Sequence, residues 1–252
     1  MGIEVVRTVC EEQGMSLVAA VDHKNIGEDI GEIGGIGKIG VTVNADLSRA
    51  LSQTKPDVIV DFTVPSSAMS NIHTALNAGV HCVVGTTGIT ADNEKEIASW
   101  CNDTSANCII APNFAIGAIL LMEFSKRAAQ YLPNVEIIEM HHEKKLDSPS
   151  GTAMMTARMI SEGRTGAPIP EPSGLVEKIP GGRGANYDDI HIHSVRLPGF
   201  VASQAVIFGG TGQTLTLRHD SLDRKSFMPG VALGIRKVLK IKGLVVGLEK
   251  VL

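Results

Sequence analysis

The sequence predicts an α/β protein: a parallel-sheet unit covered by helices, followed by an α+β unit built on an open mixed sheet. Three observations lead there. Short apolar runs alternate with helical patterns through the first half, the mark of a parallel sheet buried on both faces. Past residue 189 apolar or alternating runs follow one another with glycine turns between them, which suggests antiparallel strands. Finally, 252 residues with 43% hydrophobic and 20% charged side chains make one large or two small domains of an ordinary soluble kind.

Taken in order, residues 3–14 read as a helix with Ile3, Val5, Val6 and Val9 on one side. Ser16–Val21 is a continuous apolar run closed by Asp22. Gly35, Gly37 and Gly40 match GxGxxG by letter, but Val41-Thr-Val43 follows with a strand pattern where a phosphate fingerprint requires a helix. The stretch therefore reads as a flexible surface connection. Asp46–Gln53 is a short helix and Asp57–Phe62 a strand. Ser66–Ala78 is a helix stopped by Gly79, and His81–Val84 a strand ending in Gly85-Thr-Thr-Gly88. Thr90–Cys101 is a helix with Thr90 as its N-cap and Glu94 in its first turn. Asn107–Ala111 is a strand ending in Pro-Asn-Phe. Ile116–Leu132 is a long helix, Val135–Met140 a strand, and Ser150–Glu162 a helix. Residues 163–189, rich in Gly and Pro, form a long loop. Ile190–Arg196, Val201–Phe208 and Thr214–His219 are strands, Phe227–Leu239 a helix, and Gly243–Leu252 a last apolar segment.

Bulk properties narrow the function. A net charge of −4 argues against a general electrostatic hold on nucleic acid. Four cysteines without CxxC spacing read as reduced, mostly buried thiols of a cytoplasmic protein. No signal-peptide pattern is visible, and no apolar run nears the ~18 residues of a membrane span. An open sheet with one uncovered face suits packing against further copies of the chain.

Asp22 is the pointer to a nucleotide. In a dinucleotide-binding, Rossmann-like unit, an acid ending the second strand takes the adenosine ribose, about 20 residues after the phosphate glycines. Counting back reaches Met1-Gly2, so the first strand and the earlier glycines are expected to precede residue 1. His23 and Lys24 follow and could face a 2′-phosphate, so NADPH is expected alongside NADH. Gly85-Thr-Thr87 and Ala111–Phe114 stand at carboxyl ends of strands, where ligands of open α/β sheets bind.

The second half carries chemistry. His141 and His142 end a strand, Lys145 follows, and Ser150-Gly151-Thr152 opens a helix. The helix start favours a carboxylate. One of the histidines can deliver a proton, and Lys145 can hold a second carboxylate or act as an acid. His191 and His193 add imidazoles, but no cysteine or paired carboxylate joins them at ligand spacing, so no metal is expected.

Glu139, His141, His142, Lys145, Asp147 and Pro149–Ala153 together resemble the motif of the 4-hydroxy-tetrahydrodipicolinate reductase (dihydrodipicolinate reductase) family. Asp61-Phe62-Thr63, Gly85-Thr86-Thr87 and Ala111-Pro112-Asn113-Phe114 are similar to that family's cofactor-contacting loops. The resemblance runs the length of the chain. It implies His141 as proton donor, Lys145 as second catalytic acid, and His142, Ser150, Gly151 and Thr152 as substrate-binding residues. It implies Asp22 as the ribose acid and His23 as the position tuning NADH against NADPH. It further implies reduction of a cyclic imine dicarboxylate in the diaminopimelate route to lysine, and a homotetramer joined through the second domain's sheet. Residues 1–112 and 223–252 are expected to form the dinucleotide-binding domain, and 113–222 the substrate-binding and oligomerisation domain. The family opens with a strand and a Gly-x-x-Gly-Arg-Met-Gly loop, of which this chain matches only Met1 and Gly2. Other readings of the residues are a different nicotinamide-dependent enzyme, such as aspartate-semialdehyde dehydrogenase, and a non-catalytic dicarboxylate-binding oligomer. The first needs a nucleophilic cysteine at a strand end, for which none of the four has a clear setting.

Overall fold

The computed structural model describes residues 1–252, which divide into two compact units, Met1–Phe114 with Phe227–Leu252, and Ala115–Ser226. The first unit opens with α1 (Gly2–Glu11), which buries Val5, Val6 and Val9. Strand β1 (Ala20–Val21) follows. It is shorter than the apolar run from Ser16 predicts, because only its last two residues pair with a neighbour. Helix α2 (Ile30–Gly34) is an element that its glycine content hid from sequence reading. Strand β2 (Val43–Asn44) pairs in parallel with β1.

The glycine run after α2 is fixed in place, contrary to its reading as a flexible connection. Asp29, 7% exposed, caps α2 and gathers both arms of the turn. Its Oδ1 accepts from the N–H groups of Gly31 (2.9 Å), Glu32 (3.3 Å) and Ile39 (3.2 Å), and Oδ2 from that of Gly40 (2.7 Å). Burial acts to raise the Asp29 pKa, but these four donors outweigh it and hold the carboxyl below its ordinary value. Of the GxGxxG letters, only Gly40 meets this carboxylate. Gly35, Gly37 and Gly40 supply the positive φ angles (70°, 84° and 81°) that the turn requires.

Helix α3 (Leu47–Thr54) starts at Asp46, whose carboxylate accepts from the Arg49 N–H. There follow β3 (Val58–Asp61), α4 (Pro65–Asn77), β4 (His81–Val84), α5 (Ala91–Asp103) and β5 (Cys108–Ile110). Thr90 caps α5 as predicted; its reciprocal partner in the capping box is Asn93.

The second unit contains α6 (Ile116–Ala129), β6 (Asn134–His141), α7 (Gly151–Gly163), β7 (Ala185–Tyr187), β8 (Ile190–Arg196), β9 (Ala202–Gly210) and β10 (Gln213–Ser221). Its sheet has the order β10-β9-β6-β8-β7, with β6 and β8 parallel and the other pairs antiparallel. β7 was read from sequence as part of the long loop; its short run Ala-Asn-Tyr has no apolar alternation to announce it. The unit's core joins Leu121 and Ala129 of α6 and Ala153, Ala157 and Ile160 of α7 to Ile137, Ile192, Val206 and Phe208 of the sheet.

The chain then returns to the first unit as α8 (Met228–Val238) and β11 (Leu244–Val246). The order β11-β5-β4-β3 is parallel throughout. Cys82, Cys108, Val84 and Ile110 of this sheet pack with Ile72, Leu76, Ile97 and Cys101 of its helices. No helix is long and apolar enough to cross a membrane.

Candidate active site

In the second unit, strand pleating leads from the core to the site. Successive side chains point to opposite faces, so Val135, Ile137, Glu139 and His141 share one face of β6. β8 runs beside it in the register Ile137↔Ile192, Glu139↔Ser194, His141↔Arg196. Along both strands the shared face is apolar first and polar at the carboxyl end.

Glu139 is fully buried, at 0% exposure. Its Oε1 accepts from Arg196 Nη2 at 2.7 Å and from the Ser150 N–H at 3.2 Å. Its Oε2 accepts from Arg196 Nη1 at 2.9 Å and lies 2.5 Å from His141 Nδ1. Burial alone would raise this carboxyl's pKa, but the bonds from His141, Arg196 and Ser194 outweigh it and hold Glu139 down at about 2. An ionised carboxylate only accepts, so the shared proton sits on His141 Nδ1, and Nε2 is the nitrogen left for a ligand.

Arg196 reaches further, donating from Nη2 to the Asp147 carbonyl at 2.8 Å. The Asp147 carboxylate accepts from Lys145 Nζ at 2.7 and 2.9 Å, and this ammonium holds its pKa below the usual range. Ser150 caps α7, its Oγ accepting from the Ala153 N–H at 3.2 Å. Gly151 and Thr152 begin that helix, and His142 lies exposed with its carbonyl accepting from the Lys145 N–H. His141, Lys145 and Ser150 therefore belong to one hydrogen-bonded group with Glu139, Asp147 and Arg196, His142 joins it through its carbonyl, and Gly151 and Thr152 follow Ser150 along the chain. Sequence reasoning missed Arg196, which stands 57 residues from Glu139. The signal was the cation ending the Ile190, Ile192, Ser194 alternation.

The histidines of β8 lie on the opposite face and are engaged by carboxylates. His191 Nε2 is 2.8 Å from Glu171 Oε1, and His193 Nε2 is 2.8 Å from Glu136 Oε2.

In the first unit, the carboxyl ends of β3, β4 and β5 bring the three predicted loops together. Asp61, 4% exposed, accepts at Oδ1 from the Thr63 N–H (2.9 Å), Thr63 Oγ1 (2.7 Å) and Thr86 Oγ1 (2.7 Å), and at Oδ2 from Asn71 Nδ2 (2.8 Å). This buried acid fixes the positions of Phe62-Thr63 and Gly85-Thr86-Thr87. The Phe62 ring lies so close to Gly85 that a Cβ there would run into it, and it meets the Phe114 ring with centroids 5.5 Å apart. Ala111 continues the pattern, its N–H donating to the Val84 carbonyl, while Pro112 is exposed and Asn113 half-buried beside it. Asp22 and His23 are exposed at the end of β1, and Asp22 Oδ1 accepts from the Lys24 N–H at 3.0 Å. Met1 is the N-cap residue of α1.

Comparison with known proteins gives a consistent picture. Residues 1–114 match the family model described as dihydrodipicolinate reductase, N-terminus, and residues 117–252 the one described as its C-terminus. The 4-hydroxy-tetrahydrodipicolinate reductase of Desulfitobacterium hafniense (strain Y51) is 50% identical over 253 residues, spanning 100% of this chain and 94% of its own. That of Listeria welshimeri is 50% identical over 256 residues, spanning 100% and 95%. Among solved structures, dipicolinate-bound dihydrodipicolinate reductase from Paenisporosarcina sp. TG-14 matches with a TM-score of 0.87 and 47% identity, covering 99% of this chain and 94% of that one. An amine dehydrogenase from Mycobacterium smegmatis, with a TM-score of 0.68 and 13% identity over 99% and 92% of the two chains, shares the fold alone. The chain belongs to the dihydrodipicolinate reductase family.

Proposed function

We propose that the chain, an NAD(P)H-dependent oxidoreductase, reduces 4-hydroxy-tetrahydrodipicolinate, via dihydrodipicolinate, to tetrahydrodipicolinate in the diaminopimelate route of lysine biosynthesis. Full-length relatives named 4-hydroxy-tetrahydrodipicolinate reductase support the activity. At the level of residues one observation carries it: the Glu139–His141 pair stands beside a lysine and a capped helix start. That is a proton source flanked by two groups that bind carboxylates.

When bound, NADH or NADPH supplies the hydride. The first unit's donor set fits such a dinucleotide. Asp22 presents an exposed carboxylate with one oxygen engaged by Lys24 and the other open to ribose hydroxyls, and His23 lies beside it to face a 2′-phosphate. Met1 at the start of α1 suits a phosphate, while Phe62, Thr63, Gly85, Thr86, Thr87 and Ala111–Phe114 offer backbone and hydroxyl groups at the strand ends.

In the second unit, His141 acts as the imidazolium: Glu139 engages its Nδ1 proton, the enamine-like substrate carbon takes the one on Nε2, and the ring is left as the Nδ1–H form. Lys145 Nζ stays on the Asp147 carboxylate, offers its remaining donor to one of the substrate's carboxylates and serves as the second acid. His142, Ser150, Gly151 and Thr152 hold the other carboxylate at the start of α7. Met1–Phe114 with Phe227–Leu252 accordingly serve the cofactor, and Ala115–Ser226 the substrate and assembly, which moves the expected boundaries at 112/113 and 222/223 by two and four residues. The assembly is a homotetramer joined through the second unit's sheet. Supporting this, the sheet face opposite α6 and α7 carries Ile138, Val195 and Ile207. A cytoplasmic location agrees with four unpaired cysteines.

The test is NADH or NADPH oxidation by the purified protein with the condensation product of pyruvate and aspartate semialdehyde. Oxidation that requires this substrate is expected, and no rate above the blank refutes the reading. His141→Ala and Lys145→Ala should each lower kcat by about 10²–10⁴-fold with cofactor affinity unchanged. Wild-type turnover in either removes that residue from the chemistry.

A further inference from the structure

We infer that Glu139 and Arg196 are positioning residues for this reaction, a buried carboxylate paired with a half-buried guanidinium, which sets the His141 ring, the Lys145 loop and the start of α7 in one arrangement. The inference rests on the assignment of His141 and Lys145 above. It goes beyond it because neither Glu139 nor Arg196 has a group to offer the substrate.

Arg196 has five N–H donors. Nη1 serves Glu139 Oε2 and the Val195 carbonyl, and Nη2 serves Glu139 Oε1 and the Asp147 carbonyl. The remaining donor, Nε, is shut away from solvent without a partner. A guanidinium in that state does not bind a ligand carboxylate. Glu139 is fully buried, and each of its oxygens accepts from at least two groups of the chain, His141 Nδ1 included, with Ser194 bonded to the carboxylate as well. It therefore acts only through what it holds.

Three parts are held. The carboxylate orients the His141 imidazole and keeps the proton on Nδ1, so that Nε2 faces the substrate. The guanidinium anchors the Asp147 carbonyl, and the Asp147 side chain carries Lys145. The Ser150 N–H bond fixes the entry to α7, whose next residues take the other carboxylate. An aliphatic pair would fill the same space but specify none of the three. A neutral Glu139 could not demand a donor from His141, and Arg196 is the partner that keeps it charged.

The test joins a spectroscopic signature to kinetics. In the unmodified protein, ¹⁵N NMR of the imidazoles at a pH where His141 is neutral should show its proton on Nδ1, with His141→Gln assigning the resonance. The Nε2–H tautomer overturns the inference. In Glu139→Gln, whose amide can either donate or accept, that preference should relax. Glu139→Gln and Arg196→Met should each lower kcat about 100-fold, the scale of a small misplacement of reacting groups, with KM for NADH unchanged. Arg196→Lys, which keeps the charge but not the fork, should recover part of the loss. If a single variant fails to fold, Glu139→Gln/Arg196→Met together leaves no unpaired buried charge and carries the kinetic test. His141→Ala, run in parallel, separates the two levels. Full activity there refutes the assignment beneath the inference. Loss there with full activity in the Glu139 and Arg196 variants refutes the inference alone.

Discussion

Glu139 couples the site to stability. Its folded pKa of about 2 lies below the ~4.3 of an unfolded glutamate. The group therefore contributes stability that is fully present above about pH 4.3 and lost as the pH falls through about 2, on the order of 2–3 kcal/mol. Chemical unfolding of the wild type should weaken across that window, and Glu139→Gln should lack this component. An unchanged slope in the variant would remove Glu139 from the acid limb. Removing Arg196 is harsher, because it leaves a buried carboxylate without its counter-charge; Arg196→Met should cost about 3–5 kcal/mol at neutral pH by the same measurement. The contrast also explains what could be read from sequence. His141, Lys145 and Ser150 were legible because a strand end, a loop and a helix cap set them within ten residues of one another. Arg196 was not, because its place depends on the pairing of β6 with β8, which no local spacing encodes.

At the scale of elements, the turn around Asp29 shows how a motif's letters can mislead. Local pattern supplied most helices and strands, since burial on one face imposes periodicity. Helix α2 and its turn escaped because glycine carries no periodicity, and the turn packs its backbone around an acid of the chain, with Gly40 alone of the GxGxxG letters taking part. Gly31 is part of that packing. A Cβ there would meet the Gly37 carbonyl and the Ile39 side chain, at 2.9 Å for the latter. Gly31→Ala should destabilise the protein by about 1–3 kcal/mol, as overpacking does, with a matching fall in the thermal midpoint. A neutral outcome would mean that the turn yields readily. Where the capping chemistry was local, as at Thr90 and Ser150, the reading survived intact.

At the scale of the molecule, the division into two units follows the change in pattern near the middle of the chain, while the return of α8 and β11 to the first unit came from family resemblance. Cys82, Cys101 and Cys108 are buried and Cys10 is exposed. A thiol reagent should therefore label one cysteine per native chain and four after denaturation; rapid labelling of several in the native protein would contradict the packing of the first unit. Sedimentation should give the mass of four copies, and a stable monomer would remove the tetramer. The pairing of β6 with β8 has a kinetic consequence as well. The two strands are parallel, and the chain between them runs through α7, a long loop and β7 before the register can close. Parallel, non-local pairings form late because loop closure precedes their reward. A one-residue slip would turn Arg196 to the opposite face. Returning activity in a refolding experiment therefore times this one alignment: helical signal should recover first, and turnover only when residue 196 has come level with residue 141.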